Sequence, residues 1–93
     1  MAAQELVLTE ILDISAGDPL KAEMCEQLAK KETLTVNASR VRKISTPCVQ
    51  VLIAAGIEAE RLGLAFHITR PSSVFSDSFQ NLGLSEYLDQ WGN

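Results

Sequence analysis

The sequence predicts an α/β fold in which a small, mostly parallel β-sheet carries helices. Short β-rich segments alternate along the chain with longer segments of helical period, and parallel neighbours need such helical crossovers. The helical segments share one punctuation, with a cap residue beside proline at the start or a glycine at the end. A chain of 93 residues with 46% apolar content supplies one compact core, so residues 1–93 read as a single domain.

Residues 4–12 (QELVLTEIL) read as a first strand, and Asp13 to Asp18 break its pattern with Ser15 and Gly17. Asp18-Pro19 opens a helix over 19–31, where Leu20, Met24, Cys25 and Leu28 recur at helical spacing. Residues 33–38 (TLTVNA) form a second strand, and its apolar centre predicts burial on both faces. After a loop over 39–45, Thr46 caps a helix at 47–62, Pro47 fills its first position, and Gly63 is its left-handed stop. Residues 64–69 (LAFHIT) make a third strand, ended by Arg70-Pro71. Ser72 caps a helix over 73–81 that Gly83 closes, and Ser85 opens a short last helix with Tyr87, Leu88 and Trp91 on its apolar side.

Composition narrows the function. A formal charge of −4, from 8 Lys and Arg against 12 Asp and Glu, argues against a nucleic-acid surface. No run approaches the ~18 apolar residues of a membrane span, and no charged-then-apolar export signal opens the chain, so the sequence predicts a cytoplasmic protein. Cys25 and Cys48 fall inside helices with no second metal ligand nearby, and read as buried reduced thiols. No zinc spacing, Gly-rich phosphate loop, nucleophile elbow or acid–base pair is visible, so the sequence predicts no metal, no cofactor and no enzyme. His67, the one histidine, reads as a hydrogen-bonded or edge side chain of the third strand.

The 47–62 helix is unusually apolar. Cys48, Val51, Leu52, Ala55, Ala59 and Leu62 form a core-facing stripe about 100° wide. Val49, Ile53 and Gly56 form a second strip, extended by Ile57, which either packs beneath the third or terminal helix or stays open for a partner. Together with Thr46, Pro47 and Gln50 at the helix opening, it is the candidate docking surface. Right-handed crossovers bring that opening to the carboxyl end of the sheet, where ligands meet α/β folds. Thr46, with Ser45 beside it, is the candidate phosphorylation site. A phosphate there would add roughly −1.5 to −2 charges and be favoured by the helix dipole, and Arg40, Arg42 and Lys43 just upstream are candidate anion contacts.

In order and spacing, these segments resemble the STAS domain, named for sulphate transporters and anti-sigma factor antagonists. ILDISAGDPLKAEM at 11–24 is similar to the family's strand and first helix, LTVNASRV at 34–41 to its apolar strand and turn, and ISTPCVQVLIAAGIEAERLGLAFHI at 44–68 to its switch loop, long helix and next strand. FQNLGLSEYL at 79–88 resembles the closing helical region. The resemblance implies a non-catalytic bacterial module that docks onto a protein: an anti-sigma factor or serine kinase, or a chemotaxis kinase complex. It also implies an alternative, the accessory subunit of a phospholipid-transporting ABC system resting on the ATPase. In regulatory members the switch loop usually reads Asp-Ser/Thr-Ser/Gly-Gly. Here Ser45 stands at the acidic position, Thr46 keeps the first hydroxyl, and Pro47 and Cys48 replace the last two residues.

Overall fold

The computed structural model describes residues 4–92. Among them the elements run β1 (Gln4–Val7), β2 (Ile11–Leu12), a 3₁₀ turn (Ile14–Ala16), α1 (Gly17–Ala29), β3 (Leu34–Asn37), β4 (Lys43–Ile44), α2 (Thr46–Arg61), β5 (Phe66–Thr69), α3 (Ser73–Asn81) and α4 (Ser85–Trp91). The expected α/β alternation is present, with a small parallel sheet. It differs in the first strand, which is broken into two. Leu8 N–H still donates to Asn37 O across the main sheet (3.0 Å), but the chain then turns, and Ile11-Leu12 leaves to pair with Lys43-Ile44. That partner strand lies inside the expected 39–45 loop, because two residues are too few to carry a periodic signal.

The main sheet is parallel throughout, in the order β1-β3-β5, with Leu6, Val36 and Ile68 in one row. Strand order advances in one direction at each step. Right-handed crossovers that all advance one way put their helices on one side. The burial follows: Leu34, Val36, Phe66 and Ile68 are buried, whereas their neighbours Thr35, Asn37, His67 and Thr69 are half-buried and Glu5 and Val7 exposed. The second strand is therefore covered on one face only, contrary to the two-sided burial its apolar centre suggested. Its other face is polar enough to stand in water.

Sequence punctuation places the helices closely. Gly63 and Gly83 both adopt φ of 74°, as helix stops do. α1 starts earlier than expected, at Gly17 behind the 3₁₀ turn, so Asp18 is a first-turn residue rather than a cap. Leu20, Met24 and Leu28 are buried as the spacing required, but Cys25 is exposed; of the two thiols only Cys48 is inside. At α3 the Ser72 hydroxyl accepts from Phe75 N–H (3.1 Å) and donates to Val41 O (2.6 Å), so one side chain caps a helix and ties it to the loop before β4. Ser72→Ala is expected to lower stability by about 1–2 kcal/mol, read from the midpoint of urea unfolding at unchanged slope.

Candidate functional site

The opening of α2 is built by two chain segments fastened together. Ser45 occupies the cap position in extended conformation; its N–H donates to Leu12 O (2.7 Å) and its carbonyl accepts from Val49 N–H (3.1 Å). Thr46, expected as the cap, is instead the first helical residue and is exposed. Ser45 Oγ is shut away with no hydrogen-bond partner. The buried Cys48 thiol donates to Asp13 O (3.4 Å), fixing the 3₁₀ turn against the first turn of α2. Nearby, Gly17 backs onto Pro47, where an added Cβ would sit 3.7 Å from the ring. The Ser15 hydroxyl donates to the Asp13 carboxylate (2.6 Å) and, with a smaller contribution from the charge of Lys43, holds its pKa below the ordinary carboxylate value.

The second apolar strip is divided by the fold. Val49 and Gly56 are buried and cannot meet a partner, which corrects their assignment to the docking surface. Gly56 is covered by α4, where the Trp91 indole occupies the space a Cβ on Gly56 would take, while Val49 lies on the side of α3, near Ser78, Asn81 and Leu82. Trp91 Nε1 donates to Glu60 Oε2 (3.0 Å), Gln90 Nε2 donates to the same oxygen, and Trp91 meets Phe66 edge-on at 5.1 Å. Ile53 is half-buried, while Ile57 is 48% exposed. What remains in solvent is a ridge of Thr46, Pro47, Gln50, Ala54 and Ile57, with Ile53 along its edge.

Two depressions flank this ridge. Toward α1 an open groove of about 710 Å³ is lined by Met24, Cys25, Leu28, Val51 and Ala54, with Ile14 at its mouth. Toward α3 a notch of about 170 Å³ is lined by Thr46, Val49, Ser78, Asn81 and Leu82. Ile14, 75% exposed on the 3₁₀ turn, is the surface residue sequence reasoning missed. Its signal was an isoleucine stranded among turn formers in the segment DISAGD.

The candidate anion contacts separate in space. Lys43 shares a recess with Asp13, Ile14, Ser15 and Ser45, not with Thr46. Arg42 meets Glu10 at 3.7 Å, both well exposed, so the pair contributes little to stability. Arg40 is exposed in the loop before β4. At the far end of α2 the Arg61 guanidinium hydrogen-bonds Glu58, drawing that carboxyl below and its own pKa above their ordinary values.

Comparison with known proteins agrees with this architecture. The chain superposes on the anti-sigma factor antagonist SpoIIAA in its unphosphorylated form with a TM-score of 0.75 at 18% identity, covering 99% of this chain and 80% of that one. A sulfate transporter family protein from Wolinella succinogenes gives a TM-score of 0.76 at 14% identity, covering 96% and 74%. No curated protein matches the chain. No helix among the described residues is long and apolar enough to cross a membrane. The family model described as "Mlab, STAS domain" matches residues 1–89, and on that match, with a fold to agree, the chain belongs to the STAS-domain family.

Proposed function

We propose that this chain is a non-catalytic regulatory module of the anti-sigma factor antagonist type, which docks through the exposed ridge of α2 onto a kinase or other signalling protein. The observation that carries the reading is the ridge itself: Pro47, Ala54 and Ile57 stay in solvent although the same helix buries Cys48, Val49, Leu52, Ala55, Gly56 and Ala59. Apolar side chains kept outside a well-packed helix serve contact. Thr46 heads the ridge and is its exposed hydroxyl, so a phosphate there would set roughly −1.5 to −2 charges at the edge of an apolar contact. Arg40, Arg42 and Lys43 lie on the approach to the same helix end and would meet an anionic group of a partner.

A second reading is an accessory STAS subunit of a phospholipid-transporting ABC system, with the same ridge resting on the ATPase and no phosphate involved. The loop favours it in one respect. Pro47 carries no hydroxyl and Ser45 Oγ is enclosed, which leaves Thr46 as the one acceptor. A role beside a chemotaxis kinase complex would use the first mechanism with a different partner.

The test is co-purification of the tagged chain from its source cell, followed by affinity measurement on the purified partner. Ile57→Asp is expected to weaken binding at least tenfold with the far-UV spectrum unchanged. Thr46→Glu is expected to bind more weakly than Thr46→Val by a similar factor. Equal affinity of those two would remove the switch, and full binding by Ile57→Asp would remove the ridge. A kinase or anti-sigma factor as partner supports the first reading, an ATPase of a lipid transporter the second.

A further inference from the structure

α4 has the slightest hold of the four helices. It buries one side chain, Trp91, where α3 buries Phe75 and Phe79 and α1 buries Leu20, Met24 and Leu28. Leu84, Tyr87 and Leu88 pack against the core only in part. The contact between the Tyr87 and Trp91 rings, at 5.2 Å, lies within α4 and travels with it. Its side-chain hydrogen bonds to α2, from Gln90 Nε2 and Trp91 Nε1, both end on Oε2 of Glu60, an exposed residue. Gly92 adds a bridge to Ile68. Unlike α3, α4 has no side-chain cap, and seven residues are too few for a helix to stand alone in water. The Gly83 and Leu84 amides donate back to Gln80 O (3.0 Å) and Phe79 O (2.8 Å), so the end of α3 is closed without α4 and the hinge falls at Leu84-Ser85.

What α4 covers is continuous with the exposed ridge of α2. The indole lies over Gly56, between Ile53 and Ile57 in sequence, and meets Phe66, itself 5% exposed, edge-on. We propose that α4 is a releasable cover, which swings away as a unit while the sheet and the other three helices stay folded. Elements with few buried contacts open first and below the cost of global unfolding, and here one pinned ring decides between the two states. Closed, the ridge ends at Ile53 and Ile57. Open, it gains the slot over Gly56, the ring of Phe66 and the outer edge of β5 at Ile68. α4 thus sets how much of α2 lies in reach. The opening itself requires no partner; its bearing on docking rests on the reading of the ridge as a contact surface.

Native-state hydrogen exchange of the free chain, followed by heteronuclear NMR, tests this. The Trp91 Nε1–H gives one resolved signal, since the chain has one tryptophan, and it exchanges when the ring leaves Glu60. The expected result is that this proton and the amides of Gln90, Trp91 and Gly92 share one opening constant. That constant should be at least about tenfold larger than for Leu34 and Ala38, whose amides join β3 to β5 (3.1 and 3.0 Å), with a shallower dependence on urea because less surface is exposed. Met24→Ala, in α1 on the other flank of α2, is expected to speed exchange at Leu34 and Ala38 by about tenfold or more and to leave α4 and the indole unchanged. Opening constants for α4 and the indole equal to those of Leu34 and Ala38, rising together in Met24→Ala, overturn the proposal. Rapid exchange of the α4 amides around a slow indole overturns it too, because that is fraying and not release. The docking reading stands or falls separately, on the affinity of Ile57→Asp for a partner.

Discussion

Trp91→Ala is expected to remove about 3–5 kcal/mol of stability, the range for deleting a buried aromatic. A domain of this size has of order 5–14 kcal/mol in all, so the variant would unfold at far lower urea, read by far-UV circular dichroism because the one tryptophan is gone. Three losses coincide. The indole is 3% exposed and its removal opens a void against Gly56. The edge-on contact with Phe66 disappears, and the Glu60 carboxylate loses its indole donor. The converse change sharpens the case: Gly56→Ala pushes a methyl into the ring and should cost about 1–3 kcal/mol as overpacking. In the Trp91→Ala background the same alanine should be neutral or stabilising, since glycine is a poor helix former. Additive losses would mean that the two residues do not meet.

Phe75→Ala should have an effect of similar size, about 3–5 kcal/mol, by a different route. Phe75 and Phe79 are both fully buried and stack at 5.0 Å, so α3 is held to the body by two rings one helical turn apart. Losing one leaves α3 hinged on Phe79 and on the Ser72 bond to Val41. α3 forms one wall of the notch beside Thr46, so this variant should also disturb the amide signals of Thr46 and Asn81 in a heteronuclear NMR spectrum, whereas Trp91→Ala should act first on Gly56 and Glu60. Retention of wild-type stability would show that the helix is held elsewhere.

Local chemistry made much of this molecule readable in the sequence. Glycines with one required conformation marked the ends of two helices, Ser72 announced α3, and Leu20, Met24 and Leu28 announced the buried side of α1. What could not be read depended on pairings between distant segments. Nothing in the isolated strand LTVN states that its neighbours lie in ascending order, so nothing states that one face is bare. Likewise Gly56 is apolar in sequence whether a partner or α4 covers it; only the position of Trp91, 35 residues further on, decides it. At the candidate site the sequence located the helix and its first hydroxyl but put the cap one residue late. Ser45 and Thr46 are both good cap residues, and the choice was made by a backbone bond to Leu12.

The one-sided sheet gives this protein a rear. Thr35, Asn37, His67 and Thr69 lie on the sheet face opposite buried Leu34, Val36, Phe66 and Ile68, so a label or tether fixed among them stands on the opposite side of the sheet from α2. Immobilised by that side, the molecule presents α2 and its flanking depressions outward, so binding there can be measured without obstruction by the support.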